Sequence, residues 1–412
     1  MRRYSRLIAL IAVLAMVLVA CGDDGTADTT SPPAEAPDTT AATTPDTTAA
    51  TTPDTTEGTT PDTTAATDTT TAGEFTGEPV TACLVTDLAG VDDRSFNAAA
   101  WQGVQDAVSA GYAAADPILL ESDDQTDYQP NIDQCLSQGA QHIVTVGFEL
   151  GEATATNAEA NPDINWTIVD FGYDPDIENV RELVYQTDEA AFAAGYLAAG
   201  VSQSGVIGTY GGLDIPTVSI FMDGLARGVA HYNEAKGADV QVIGWTSNPD
   251  YDPSDPNSAP GEGTFTGTFD PADPIVRQTC ESILDEGADI MLPVGGAINL
   301  PCGTAIQDRG LEAALIGVDQ DAFAAMPPEF QDLWLVTIEK GIAIQVTRSL
   351  QDHAEGNWTP GGEVGNLAND AVGLSEFHSW ADRVPDELAT EVEQILEDIR
   401  SGAIEAGIYP VG

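Results

Sequence analysis

Thr86-Asp87-Leu88-Ala89-Gly90-Val91-Asp92-Asp93-Arg94-Ser95-Phe96-Asn97 is a polar stretch with one aromatic residue near its end. The residues before it, Ala82-Cys83-Leu84-Val85, form a short apolar run that reads as a buried strand. After it, Trp101, Val104 and Val108 recur at helical spacing, with Ser95 in the N-cap position. The order is therefore strand, loop, helix. In an open parallel sheet such loops lie beyond the carboxyl ends of the strands, where ligands bind. Phe96, beside Asn97 and several Asp, could stack on a flat ligand or pack as a staple under the helix. The loop alone leaves both readings open.

The same alternation continues downstream. Ile118–Leu120, His142–Val146, Trp166–Val169 and Val180–Tyr185 read as strands, with helices opening at Asp127 and covering 151–160. A helix over Asp188–Ala199 is rich in Ala and Gly and suits close packing at a lobe junction. A second series follows. Its strands are Val206–Tyr210, Val240–Trp245, Asp289–Pro293, Ala314–Val318 and Trp334–Ile338, and its helices run through Phe221, Leu225 and Val229 and over Pro274–Glu286. Residues 247–263 read as a surface loop, and Pro385–Arg400 as an amphipathic helix. Two such series predict an α/β fold of two similar lobes with parallel sheets. The expected domain spans 79–412, with lobe 1 about 79–200 plus a later return segment and lobe 2 about 201–318.

The N-terminal residues are of another kind. Arg2, Arg3 and Arg6 precede an apolar run from Leu7 to Ala20, too short for a membrane span, which reads as a signal peptide over 1–20. Small residues then precede Cys21, as in a lipobox, so Cys21 is the expected lipidation site and the expected location is the extracytoplasmic face of the cell membrane. Residues 21–78 are mostly Thr, Pro, Asp, Ala and Gly, with Pro-Asp-Thr-Thr recurring from Pro37, Pro45, Pro53 and Pro61. This segment carries too little apolar surface to offset its ordering entropy and reads as a disordered tether.

The chain holds 67 acidic residues against 13 Lys and Arg, a formal net charge of −54. That argues against nucleic acid as a partner. Four cysteines follow Cys21: Cys83, Cys135, Cys280 and Cys302. An even number in an exported domain points to disulfides. Three pairings are open, and nearness in the chain favours Cys83 with Cys135 and Cys280 with Cys302. There is no CxxC spacing for zinc, and no metal or cofactor is expected. His142, His231, His353 and His378 are scattered and carry no assigned chemistry.

The tips gathered at the strand ends resemble a known family. Thr86-Asp87 through Asp92-Asp93-Arg94-Ser95-Phe96-Asn97 with Trp101 is similar to the signature of the basic membrane protein family. These are lipoproteins that serve as substrate-binding components of ABC transporters for purine nucleosides. Asp127-Tyr128-Gln129-Pro130-Asn131, Val146-Gly147-Phe148, Gly211-Gly212-Leu213-Asp214-Ile215-Pro216, Phe269-Asp270-Pro271-Ala272 and Gly317-Val318-Asp319 resemble further family blocks in the same order. The resemblance covers about residues 80–350. It implies two Rossmann-like lobes joined by a hinge, as in type I periplasmic binding proteins.

It also implies roles. Phe96 and Phe269 would sandwich a base, Asn97 and Asp170 would read its edge, and Asp319 or Asp321 would accept from ribose hydroxyls. Gly295 and Gly296 would let the backbone approach the sugar, Lys340 would donate to the sugar or orient the Asp, and Asp87 would support the first loop. Phe148 reads as a wall, and Asp92, Asp93 and Asp214 as loop and cap residues. Arg94 stands where Lys is frequent, Thr337-Ile338-Glu339-Lys340 departs from the usual start, and the acidic 247–263 loop is long. These departures bear on ligand identity more than on fold. The expected protein is a monomeric binding lipoprotein, not an enzyme, that meets permease subunits and a purine nucleoside. The alternatives are an extracytoplasmic nucleoside hydrolase, motivated by the Asp-rich 87–93 loop, and a sensor that binds without transport. No GxSxG or HExxH motif supports the hydrolase.

Overall fold

A computed structural model describes residues 75–252 and 258–407. The expected signal peptide, Cys21 and the tether as far as residue 74 lie outside the described residues.

The first α/β series comprises β1 (Ala82–Val85), α1 (Phe96–Ser109), β2 (Ile118–Leu120), α2 (Tyr128–Ser137), β3 (His142–Val146), α3 (Gly151–Ala160), β4 (Asn165–Val169) and β5 (Val180–Tyr185). The chain crosses through α4 (Thr187–Val201) into the second series: β6 (Val206–Gly211), α5 (Pro216–Lys236), β7 (Gln241–Ile243), a ribbon of β8 (Trp245–Ser247) and β9 (Gly261–Gly263), α6 (Pro274–Asp285), β10 (Ile290–Val294), α7 (Asn299–Arg309), β11 (Ala314–Asp319), α8 (Ala322–Ala325) and β12 (Trp334–Lys340). Then α9 (Ile342–Glu355) returns to β13 (Gly361–Gly365), β14 (Val372–Leu374) goes back, and α10 (Asp386–Arg400) closes the described chain.

The two six-stranded sheets have the same architecture, β13-β5-β4-β3-β1-β2 and β14-β12-β11-β10-β6-β7. All pairings in them are parallel except β12 with β14. Central strands such as β3, β5, β10 and β11 are buried along their whole length, because helices cover both faces. The fold is thus α/β in two Rossmann-like lobes, as the alternation predicts.

Four details differ from the sequence reading. The second sheet does not stop near residue 318 but takes in β12 and β14, so the chain crosses between the lobes three times. The strand expected over Val240–Trp245 breaks at Gly244, whose φ is +88° and whose absent Cβ would fall 1.8 Å from the Thr209 carbonyl oxygen. The 247–263 loop is partly ordered as β9, paired with β8. Helices α7 and α9 were not expected. Pro301 and Gly303 disguise the first, and buried Gln345 and Ser349 interrupt the apolar stripe of the second.

Two features fix the frame around the cleft. Cys83 is bonded to Cys135, tying β1 to α2, and Cys280 to Cys302, tying α6 to α7. Helices α4 and α5 cross closely at small residues: a Cβ on Gly195 would lie 2.1 Å from the Leu225 carbonyl oxygen, and one on Gly228 would lie 1.9 Å from that of Phe192. Gly to Ala inside a helix ordinarily stabilises by up to about 1 kcal/mol. Gly228→Ala should instead cost about 1–3 kcal/mol in urea unfolding, through overpacking. A gain in stability would show that the two helices are free to part.

Candidate ligand-binding site

The carboxyl ends of the two sheets face one another across a cavity. Phe96, Phe148, Phe221 and Phe269 supply its apolar walls, and Asp87, Asp93, Asn97, Asp170, Asp319 and Lys340 its polar groups. Phe96 and Phe269, expected to act together, line this one cavity from opposite lobes. Phe148 is a wall residue that packs against Phe171, with ring centroids 5.1 Å apart.

Residues of the first loop hold one another. Ser95 occupies the N-cap position of α1 without making a side-chain cap bond. Asp93 does that work: its Oδ1 accepts from the Ser95 and Ala98 amides at 3.0 Å, and its Oδ2 from the Asn97 amide at 2.7 Å. Asn97 Nδ2 donates to Asp87 Oδ1 at 2.8 Å and to Asp93 Oδ2 at 3.1 Å. Two carboxylate partners fix which end of the Asn97 amide is nitrogen. Its Oδ1 is left as a buried acceptor without a protein partner. Burial raises the Asp87 carboxyl to about 7, although the Ala89 amide and Asn97 hydrogen bonds pull it down; Asp93 and Glu149 add to the rise. Asp87 therefore does more than support the loop, because it lines the cavity as a second acceptor.

The floor of the cleft is a group of three charges. Lys340 Nζ lies 2.6 Å from Asp170 Oδ2 and 3.8 Å from Asp319 Oδ1. All three residues are buried. The ammonium also faces the rings of Phe96 and Phe221, each at 5.2 Å, and of Tyr185 at 5.5 Å. Burial raises the Asp170 carboxyl, Lys340 opposes this, and Asp319 adds to it. Asp170 lines the cavity with its Oδ2 engaged by Lys340, whereas Asn97 presents an unpartnered Oδ1 there.

Gly295 and Gly296 line the same cavity, and one further expectation changes. Asp321 does not line the cavity. It caps α8 through the Phe323 amide at 3.2 Å and bonds His378 Nε2 at 2.8 Å. Of the two candidate carboxylates, Asp319 is the one at the cavity. Gly295 makes room for an aromatic ring, since a Cβ there would lie 2.5 Å from Phe269 Cδ1. Gly296 meets the opposite lobe, with the place of its Cβ 3.6 Å from that of Ser95. Sequence reasoning missed Phe221, which reads as an ordinary core residue of α5, and Ser95 as a cross-cleft donor. His142 and His353 pair away from the cavity, with Nδ1 atoms 3.1 Å apart.

The family model described as ABC transporter substrate-binding protein PnrA-like (Bmp) matches residues 80–254. Those residues belong to the Bmp family. The sequence resemblance to basic membrane proteins therefore holds, for a family of ABC transporter substrate-binding proteins. The chain is 27% identical over 337 residues to the ABC transporter nucleoside-binding protein BmpA of Lactococcus lactis, covering 78% of this chain and 88% of that one. It is 24% identical over 319 residues to basic membrane protein A of Borreliella burgdorferi, covering 77% and 84%. A crystal structure of an ABC transporter system solute-binding protein from Aeropyrum pernix aligns with TM-score 0.68 at 22% identity, over 79% of this chain and 93% of that one. That likeness bears on the fold.

The charge group makes a signed prediction. Lys340→Met leaves Asp170 and Asp319 buried without a cation and should cost about 3–5 kcal/mol at pH 7.5. Burial already raises the Asp170 carboxyl and Lys340 opposes that rise, so without the cation its ionised form weakens the fold as pH rises and its protonation relieves it. Chemical denaturation at pH 5 should show a smaller deficit than at pH 7.5. A deficit that grows on acidification would remove the ion pair as its cause.

Proposed function

We propose that this chain is a membrane-anchored, extracytoplasmic solute-binding lipoprotein of an ABC transporter that captures a purine nucleoside between its lobes. One observation carries the reading: two aromatic residues from opposite lobes, Phe96 and Phe269, line one cavity in which Asn97 Oδ1 is an unpartnered acceptor beside four carboxylates. A flat heterocycle suits the two rings. Base N–H groups suit Asn97 Oδ1 and Asp87, and vicinal ribose hydroxyls suit Asp319. The matching family and the relative named for nucleoside binding support the same reading. Lipid on Cys21 holds the domain near its permease.

The cavity presents four carboxylates and a single cation, Lys340, which is already engaged. Guanosine should therefore bind, and guanosine monophosphate should bind at least about tenfold more weakly, since like charge in a buried site is costly. Isothermal calorimetry with both tests this, and tighter binding of the nucleotide would overturn the nucleoside assignment. Phe96→Ala should remove about 1–3 kcal/mol of guanosine affinity.

Asp87 adds a pH dependence. Its carboxyl, raised to about 7, accepts more strongly from a base N–H when ionised. Guanosine affinity should rise from pH 6 to pH 8 and level off above, and Asp87→Asn should flatten the curve. An unchanged profile in that variant would mean that Asp87 does not face the ligand. Cys21→Ala should move the protein from the membrane to the soluble fraction on cell fractionation.

A further inference from the structure

Ser95 is fully buried and belongs to lobe 1, yet its side chain serves lobe 2. Its Oγ lies 2.8 Å from Asp319 Oδ2 and 3.1 Å from the Val318 carbonyl oxygen. Its own carbonyl accepts from Gln320 Nε2 at 2.7 Å. These contacts join the loop after β1 to the end of β11. They account for one oxygen of Asp319, while Lys340 faces the other. Ser95 does not itself line the cavity. The loop after β10 lies beside the same residues, since a Cβ on Gly296 would make ordinary van der Waals contact with Ser95 and Asp93.

We propose that Ser95 and Gln320 form a latch across the cleft that holds Asp319 in its ligand-facing pose only while the lobes are closed. Ser95 is then a positioning residue for ligand retention, acting through Asp319. Opening the cleft breaks the Ser95 bond to the carboxylate and the Gln320 bond to the Ser95 carbonyl together. The carboxylate then loses the donor that orients it, so ligand release and loss of the Asp319 contact become one event. Ligand enters before the latch forms, so association does not depend on it. The inference rests on the nucleoside reading for its ligand, but not for its geometry.

Stopped-flow binding of guanosine to the intact protein tests it. Ser95→Ala should raise the dissociation rate about ten- to a hundredfold, the worth of a buried hydrogen bond to a charged group, and leave association within about twofold. The ligand-free variant should still melt in one transition no more than about 10 °C below the parent, and the dependence of the kinetic effect on Asp319 separates a latch from a merely structural role. Gln320→Ala should act in the same direction but less. In an Asp319→Asn background the effect of Ser95→Ala should shrink to about twofold or less. Equal effects in both backgrounds, or an unchanged dissociation rate, would overturn the latch. If the parent protein binds neither guanosine, inosine nor adenosine, the nucleoside reading has failed, and a ligand-free arm decides the latch. Ser95→Cys with Gly296→Cys puts two Cβ positions 3.6 Å apart, within the span of about 3.5–4.5 Å that a disulfide needs. Peptide mapping after mild oxidation should find the cross-lobe bond; its absence would mean that the loops do not meet.

Discussion

A single ammonium group, that of Lys340, lies between carboxylates from both lobes, and the closed cleft depends on it. Burying charge is costly unless partners and hydrogen bonds compensate. Here two carboxylates share one cation, with Asp170 close and Asp319 farther off. Burial raises the Asp170 carboxyl in spite of the nearby ammonium, and Asp319 adds a smaller push in the same direction. Ser95 meets part of the remaining need by donating to Asp319. Three aromatic faces around the ammonium add diffuse attraction without adding further charge. Because Lys340 ends β12 and continues directly into a crossover between lobes, the same residue links cleft chemistry to the hinge.

The two sheets carry matched positions with different residues. β4 and β11 occupy the same place in their sheets, and each is capped by an Asp in the left-handed region, Asp170 with φ +63° and Asp319 with φ +70°. Such backbone is uncommon for a residue other than Gly and clusters at sites that bind ligands. β3 and β10 are likewise followed by Gly147 and Gly295, both with positive φ. β5 ends in Tyr185 where β12 ends in Lys340. The equivalence brings six tips together, and the differences make the cavity asymmetric. Lobe 1 supplies the Asp87, Asn97 and Phe96 side chains; lobe 2 supplies Phe269 and Asp319.

Much of this arrangement is legible in the residues. Apolar runs ending in Asp, Gly or Phe mark strand tips, and their spacing alone gives two α/β series. That spacing places the loops that carry Phe96, Asp319 and Lys340, and the family resemblance adds Phe269 and the roles of all four. What is not legible is how the polar groups divide their hydrogen bonds. Asp170 and Asp319 look alike in sequence, but Lys340 sits close to one of them only. Asp319 and Asp321 are two residues apart, and only the reversal of the chain after β11 separates the cavity from the His378 side. Ser95 reads as a helix cap because its position is right, while the capping itself passes to Asp93. Gly295 reads as space for a sugar, while the ring of Phe269 fills that space. Each difference arises from tertiary contacts over long sequence separation, which local pattern cannot carry.

The central claim is that the two lobes close a stacking slot over a sugar-binding carboxylate. A crystal structure of the protein grown with guanosine tests it most directly. The account predicts the purine between Phe96 and Phe269, its N–H edge on Asn97 and Asp87, and the ribose hydroxyls on Asp319. A nucleoside bound outside the cleft, or one whose ribose faces the aromatic rings while the base lies on Asp319, would contradict it.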